Sequence, residues 1–298
     1  MSLIKSFSVG NRDMFYIDHN AGSFSIIDCN LNNKEEVILT EIKNKHHQKG
    51  ITRFISTHYD KDHILGLSKL NETISINCFY CVKNQGFKDY EDEDFNTYKE
   101  LKDSENSLFL TKDCIVKWLN KSDNERHGAG ISILWPDIEN KYFKEELNKV
   151  NTIKNYSPNN ISPVIQYSLE AGVTVLWFGD LETEFIEKIK NNLNITKTDI
   201  VFAPHHGRKS GRIPKELLDK INPKLIIIGE GESENIDYYS GYNTITQNSS
   251  GDTLLDCTLH KVHIYTSNEY SIPFPLDYDS DKKNMDDMHY IGTLETND

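Results

Sequence analysis

Ile55-Ser56-Thr57-His58-Tyr59-Asp60-Lys61-Asp62-His63-Ile64-Leu65-Gly66 is the stretch on which the reading of this chain turns. A run ending in Phe54-Ile55 gives way to small polar residues, the pattern of a buried strand leaving its sheet for a loop. Four candidate metal ligands, His58, Asp60, Asp62 and His63, then follow within six positions. Bare carboxylates and imidazoles crowded on so short a loop repel one another. A divalent cation stabilises them, and this donor mix suits zinc or manganese. A polar turn with coincidental histidines is the plainer alternative.

The rest of the chain bounds what such a loop can serve. With 298 residues and 37% hydrophobic content, the chain can hold one large α/β domain with a real core. No apolar run is long enough for a bilayer span and the N-terminus lacks a signal-peptide pattern, so a cytoplasmic location is expected. Cys29, Cys78, Cys81, Cys114 and Cys257 are scattered and odd in number, which argues against a disulfide framework. Cys78 and Cys81 share a strand-like segment that turns them to opposite faces, and no second pair completes a zinc site. A formal net charge of −13 disfavours broad, nonspecific binding to nucleic-acid backbones. Bound metal and a local basic patch can still reverse the field at one site.

Strands are expected at 4–9, 14–17, 23–28, 51–55, 74–82, 115–119, 130–135, 164–169, 173–178, 199–203, 224–228 and finally 262–266. Helices are expected at 35–49, 67–70, 140–153, 182–191 and 214–221. The charged stretch 89–104, with Tyr90, Phe95, Tyr98 and Leu101 in rough helical register, reads as a surface helix or flap. Domain organisation follows as one unit over 1–275, a charged insertion near 84–128, and an acidic, loose tail at 276–298.

Ligand-capable residues sit past three strand ends. Asp180 follows Phe178-Gly179, where a tight glycine turn can aim its carboxylate into a site; it equally suits a helix N-terminus. His205-His206-Gly207 follows a strand and Pro204. Adjacent histidines are expected to point apart, one ligating and the other facing substrate or supporting the site. Arg208 and Lys209 come next, read either as phosphate binders or as solubilising charge. With two ions roughly 3.5–4 Å apart, such a set supports hydrolysis by activated water, without a serine or cysteine nucleophile. Asp62 and His206 are the candidate catalytic residues.

In these motifs the chain resembles the metallo-β-lactamase-fold hydrolases, and among them the hydrolase domain of ComEC-type competence proteins. The resemblance is carried by Val9-Gly10-Asn11-Arg12-Asp13, Ile26-Ile27-Asp28 and the His58-Tyr59-Asp60-Lys61-Asp62-His63 cluster. It continues through Asn159-Asn160-Ile161-Ser162, Phe178-Gly179-Asp180 and Pro204-His205-His206-Gly207, in order over residues 4–270. It implies a four-layer αβ/βα sandwich and a metal-dependent hydrolase of the phosphodiesterase or nuclease kind. The implied ligands are His58, Asp60, Asp62, His63, Asp180 and His205, around one or two divalent ions. Arg208, Lys209, Asn160 and Ser162 stand as substrate-binding candidates.

Two departures accompany the resemblance. The late histidine that many superfamily members supply after the second cluster is not evident, the corresponding region reading Tyr238-Tyr239-Ser240-Gly241-Tyr242-Asn243, and Arg208 replaces a serine after Gly207. His260 and His263, near the last strand, read as structural. Asp60, in place of the imidazole that most of the superfamily carries, hardens the site toward manganese or magnesium; zinc is the superfamily's usual metal. The implied partner is a phosphate-containing substrate, a nucleotide or nucleic acid, with no membrane insertion. Alternatives are a hydrolase of a small ester, lactone or lactam, and a degenerate metal-binding sensor component of a multi-gene system such as phage defence.

Overall fold

The computed structural model describes residues 1–47, 49–89, 92–231, 237–272 and 276–297. Sixteen strands lie in this part of the chain: β1 (Ser2–Ser6), β2 (Phe15–Asp18), β3 (Ser23–Ile27), β4 (Cys29–Asn30), β5 (Ile51–Ile55), β6 (Cys78–Cys81), β7 (Ser107–Phe109) and β8 (Ile131–Trp135) come first. The later ones are β9 (Val164–Ser168), β10 (Thr174–Trp177), β11 (Ile200–Phe202), β12 (Leu225–Ile228), β13 (Thr244–Thr246), β14 (Thr253–Cys257), β15 (Lys261–Thr266) and β16 (His289–Glu295). Helices α1 (Glu35–His46), α2 (Lys61–Ile64), α3 (Leu67–Ile74), α4 (Glu93–Lys102), α5 (Lys141–Thr152), α6 (Thr183–Ile189) and α7 (Lys215–Ile221) connect them.

The result is a mixed α/β fold with two sheets. One runs β16-β15-β14-β1-β2-β3-β5-β6-β7 and the other β13-β12-β11-β10-β9-β8. In the first, β3, β5, β6 and β7 pair in parallel; in the second, β10 to β13 do. Alternation along each strand divides the core. Ile27, Ile55, Val175, Trp177, Ile200, Phe202 and Ile227, from both sheets, share one buried cluster. Their neighbours Ile26, Phe54, Leu176, Val201 and Ile226 join helix residues such as Ile38, Ile42, Phe143, Ile186 and Leu217 in another. Phe15 of the first sheet meets Trp177 and Phe202 of the second, with ring centroids 4.9 Å (Phe15–Phe202) and 6.1 Å (Phe15–Trp177) apart.

Three expectations are corrected. The stretch 89–104 does form a helix, α4, but its Phe95 and Tyr98 are buried against Tyr59 and Phe79 rather than lying outside the layers. Tyr90 lies outside the described residues. No strand forms at 115–119; the segment is a turn in which the Val116 carbonyl accepts from Leu119, Asn120 and Lys121. The acidic tail is not loose, because His289–Glu295 adds an edge strand along β15. No helix among the described residues is long and apolar enough to cross a membrane.

Candidate metal centre

Five loops leaving the two sheets meet at one place: β1–β2 brings Asp13, β3 brings Asp28, β5 brings His58 to His63, β10 brings Asp180, and β11 brings His205 and His206. All but the first leave the carboxyl ends of parallel strands, where α/β sheets concentrate ligand sites.

Asp180 is the hub. Its Oδ2 lies 3.2 Å from His63 Nε2, 3.5 Å from His206 Nε2, 3.6 Å from His205 Nε2 and 4.0 Å from His58 Nε2. The backbone that aims it depends on Gly179 at φ +54. A Cβ there would stand 2.8 Å from the Cβ of Ser162 and 3.1 Å from that of Thr57, so only glycine fits. His205 and His206 both converge on Asp180, which corrects the expectation that they point apart. Both residues adopt left-handed backbone, φ +49 and +58, and the chain curls so that each ring turns the same way. His205 N donates to Gly179 O at 3.0 Å and locks the two loops together.

Behind these rings stand polar groups that set their tautomers. Asp28, fully buried, accepts from Thr57 N at 2.7 Å and Thr57 Oγ1 at 2.6 Å, and faces His63 Nδ1 at 2.7 Å. His206 Nδ1 lies 3.1 Å from Asp13 Oδ1, and His206 Nε2 lies 3.9 Å from Asp62 Oδ2. Ser162 Oγ sits between His58 Nδ1 and Asp180 N, 3.3 Å from each. Asn160 is engaged at both amide atoms by Glu182, at 3.0 and 3.1 Å, and so braces the Asp180 turn. Arg208 reaches His205 Nε2 at 3.3 Å and Asn11 Oδ1 at 2.8 Å, whereas Lys209 is exposed. Asp60, which feels the charges of Asp62 and His63, is ion-paired with Lys88.

The electrostatics divide the histidines. Burial, then the neighbouring His63, pushes His58 well below its usual range; burial also lowers His205. Burial alone would lower His63 and His206 too. The carboxylates win instead: Asp180 and Asp28 hold His63 well above its usual value, and Asp13 and Asp180 raise His206 to about 10. Burial would raise Asp180, but the facing His63 and His206 hold it well below the carboxylate range.

These donors fit a divalent cation. Asp13, His63, Asp180 and His206 form one group, and His58, Asp62 and His63 another, each with ligand atoms within 4.8 Å of one another. His58 Nε2, His63 Nε2, His206 Nε2 and Asp180 Oδ1 are buried with no satisfactory hydrogen bond among the described residues. Orphaned buried donors and acceptors are rare unless something absent from the polypeptide completes them. A separate groove of about 850 Å³, lined by Lys5, Tyr16, Glu41 and Asp252, contains none of these residues.

Sequence spacing does not by itself place Asp13, Asp28 or Lys88 at the centre. The turn at Val9-Gly10 and a strand ending on a carboxylate are the signals for the first two. Lys88 has none, lying in a loop beyond β6.

Buried imidazoles and carboxylates converging at the ends of two sheets define a His/Asp metal-binding class of site in a mixed α/β protein. Among solved structures the chain matches Igni18, described as a novel metallo hydrolase from the hyperthermophilic archaeon Ignicoccus hospitalis KIN4/I. The match covers 82% of this chain and 94% of that one, at 12% identity and a TM-score of 0.41, which is a loose superposition. No family model and no curated protein matches the chain.

Proposed function

We propose that this chain is a metal-dependent hydrolase acting on a phosphodiester, built as a metallo-β-lactamase-type αβ/βα sandwich with ComEC-like motifs. The observation that carries the metal part is the convergence of four buried imidazole nitrogens on Asp180, three of which, on His58, His63 and His206, have no hydrogen-bond partner among the described residues. We take Asp62, His63, Asp180 and His206 as the principal ligands, with zinc or manganese as the ion. Such an ion would supply Lewis acidity, acidifying water and stabilising charge that develops on an ester oxygen.

The chain's own groups do the rest. Asp28 holds His63, Asp13 holds His206 and Ser162 holds His58, each leaving Nε2 turned toward Asp180. Asp62, about 29% exposed at its side chain, is the carboxylate most open to solvent beside His206 and is placed to accept a proton from water. Arg208 presents a guanidinium at the edge of the cluster, suited to an anionic phosphoryl oxygen. This arginine favours phosphodiesters over neutral lactams and lactones.

The test compares bis-nitrophenyl phosphate with nitrophenyl ester and lactam substrates, in the metal-stripped and metal-reloaded protein. Cleavage of the phosphodiester should require metal and fall by at least two orders of magnitude in His63→Ala. Preference for the ester or lactam would replace the phosphodiester reading. Full activity in metal-free buffer would remove the metal reading.

A further inference from the structure

Asp60 and Lys88 form a pairing that the hydrolytic reading leaves unexplained. The Lys88 side chain is 10% exposed, and its ammonium contacts Asp60 Oδ1 while lying 5.4 Å from the centre of the Tyr59 ring. The loop that carries it is fastened to the end of α5 and the residues beyond. Gln85 N donates to Asn151 Oδ1 at 2.9 Å, Phe87 O accepts from Asn155 N at 3.2 Å, and Asp89 N donates to Asn155 Oδ1 at 2.9 Å. Asp89 also pairs with Lys154. A lysine delivered this way is held in place, not a mobile surface charge.

A second cation works on the same set of donors. His205 Nε2, 3.6 Å from Asp180, accepts from the Arg208 guanidinium. Once Asp62, His63, Asp180 and His206 are assigned to an ion, Asp13, His58, Asp60 and His205 remain. Asp13 faces His206 Nδ1, Asp60 and His205 are already met by positive charge, and of the four His58 alone keeps an unpartnered Nε2. By contrast, Asp13, Asp62 and Asp180 pair with histidines only, among the described residues. Seating another ion on Asp60 would strand a nine-tenths-buried ammonium beside a dication. An unpaired buried charge of that kind is strongly unfavourable.

We propose that Lys88 is a tethered cation that occupies Asp60 in place of a second metal, so that the centre holds one divalent ion. This rests on the metal-centre reading above. Lys88 is here a positioning residue: it neutralises Asp60 and decides how many ions the cluster takes.

The experiment is metal content per chain by mass spectrometry after loading with excess Mn²⁺ and desalting, together with Mn²⁺ electron paramagnetic resonance. Wild type and Lys88→Arg should retain one ion with an uncoupled spectrum. Lys88→Met should rise toward two ions and show exchange coupling, and adding Asp60→Asn to it should return the count to one. Asp60→Asn alone should keep its ion, because Asp60 is not a ligand. Two ions in wild type, one in Lys88→Met, or loss of the ion in Asp60→Asn would each overturn the proposal. Should Lys88→Met fail to fold, Lys88→Gln loaded in the same way should likewise rise toward two ions, and a single ion there would overturn the proposal. No ion in wild type would instead remove the metal centre itself.

Discussion

Asp28 offers no free oxygen to a ligand, since Thr57 and His63 share its carboxylate in a site closed to water. Its work is to keep the His63 proton on Nδ1 and Nε2 available. Asp28→Asn should therefore fold but bind metal roughly 10–100-fold more weakly, read by chelator competition; unchanged affinity would refute the orienting role. Proton competition gives a second prediction. In the metal-free protein His63 and His206 are both raised, His206 to about 10, so at neutral pH both hold protons that an ion must displace. Apparent metal affinity should rise from pH 6 to 9, and calorimetry in buffers of different ionisation enthalpy should show proton release. Stability of the metal-free protein should run the other way. A raised histidine stabilises fully below its unfolded value near 6.5 and loses that contribution as pH climbs through about 10. Its Tm should fall between pH 7 and 10, and a flat profile would contradict the His206–Asp13–Asp180 pairing.

Helix α3 shows how the elements around the site are joined. Its entry has no side-chain cap of its own; Asp94, in the first turn of α4, accepts from Gly66 N at 2.7 Å, Ser68 N at 3.0 Å and Ser68 Oγ at 2.7 Å. Asp94→Ala should cost about 1–2 kcal/mol by analogy with lost N-caps, seen as a Tm lower by a few degrees. No change would mean that water replaces the cap freely. This contact also explains what the sequence could and could not reveal. Strand ends carrying Asp28, His58, Asp180 and His205 were legible because apolar runs stop abruptly on polar residues. The burial of α4 was not, since Phe95 and Tyr98 sit among charges that outweigh them in any window, and only the tertiary partners Tyr59 and Phe79 reveal their face. Strand β16 was hidden likewise, its Tyr290, Ile291 and Leu294 following a run of aspartates, and the pairing with β15 is too distant for local pattern to show. The curl of His205 and His206 depends on two consecutive left-handed residues, a conformation that non-glycine sequence does not announce.

At the scale of the molecule the centre lies across the seam of the two sheets. Asp13, Asp28, His58 and His63 hang from the larger one, and Asp180, His205 and His206 from the smaller. Below the seam, the sheets meet through apolar contacts such as Phe15 against Trp177 and Phe202. At the seam itself the contacts are ionic and buried, and without an ion they leave several polar atoms unmatched. An ion bound there engages donors from both sheets at once, and because the unfolded chain does not assemble those donors, binding adds to stability by mass action. With free Mn²⁺ at a hundredfold excess over its dissociation constant, the gain is about 2.7 kcal/mol, or roughly 5–10 °C in Tm for a protein near this size. Scanning calorimetry with added Mn²⁺, then with chelator, should show the shift appear and reverse. His206→Ala removes a ligand from the smaller sheet and His63→Ala one from the larger, and each should abolish most of the shift. A full shift surviving in either variant would place the ion on one sheet alone and end the idea that it ties the two together.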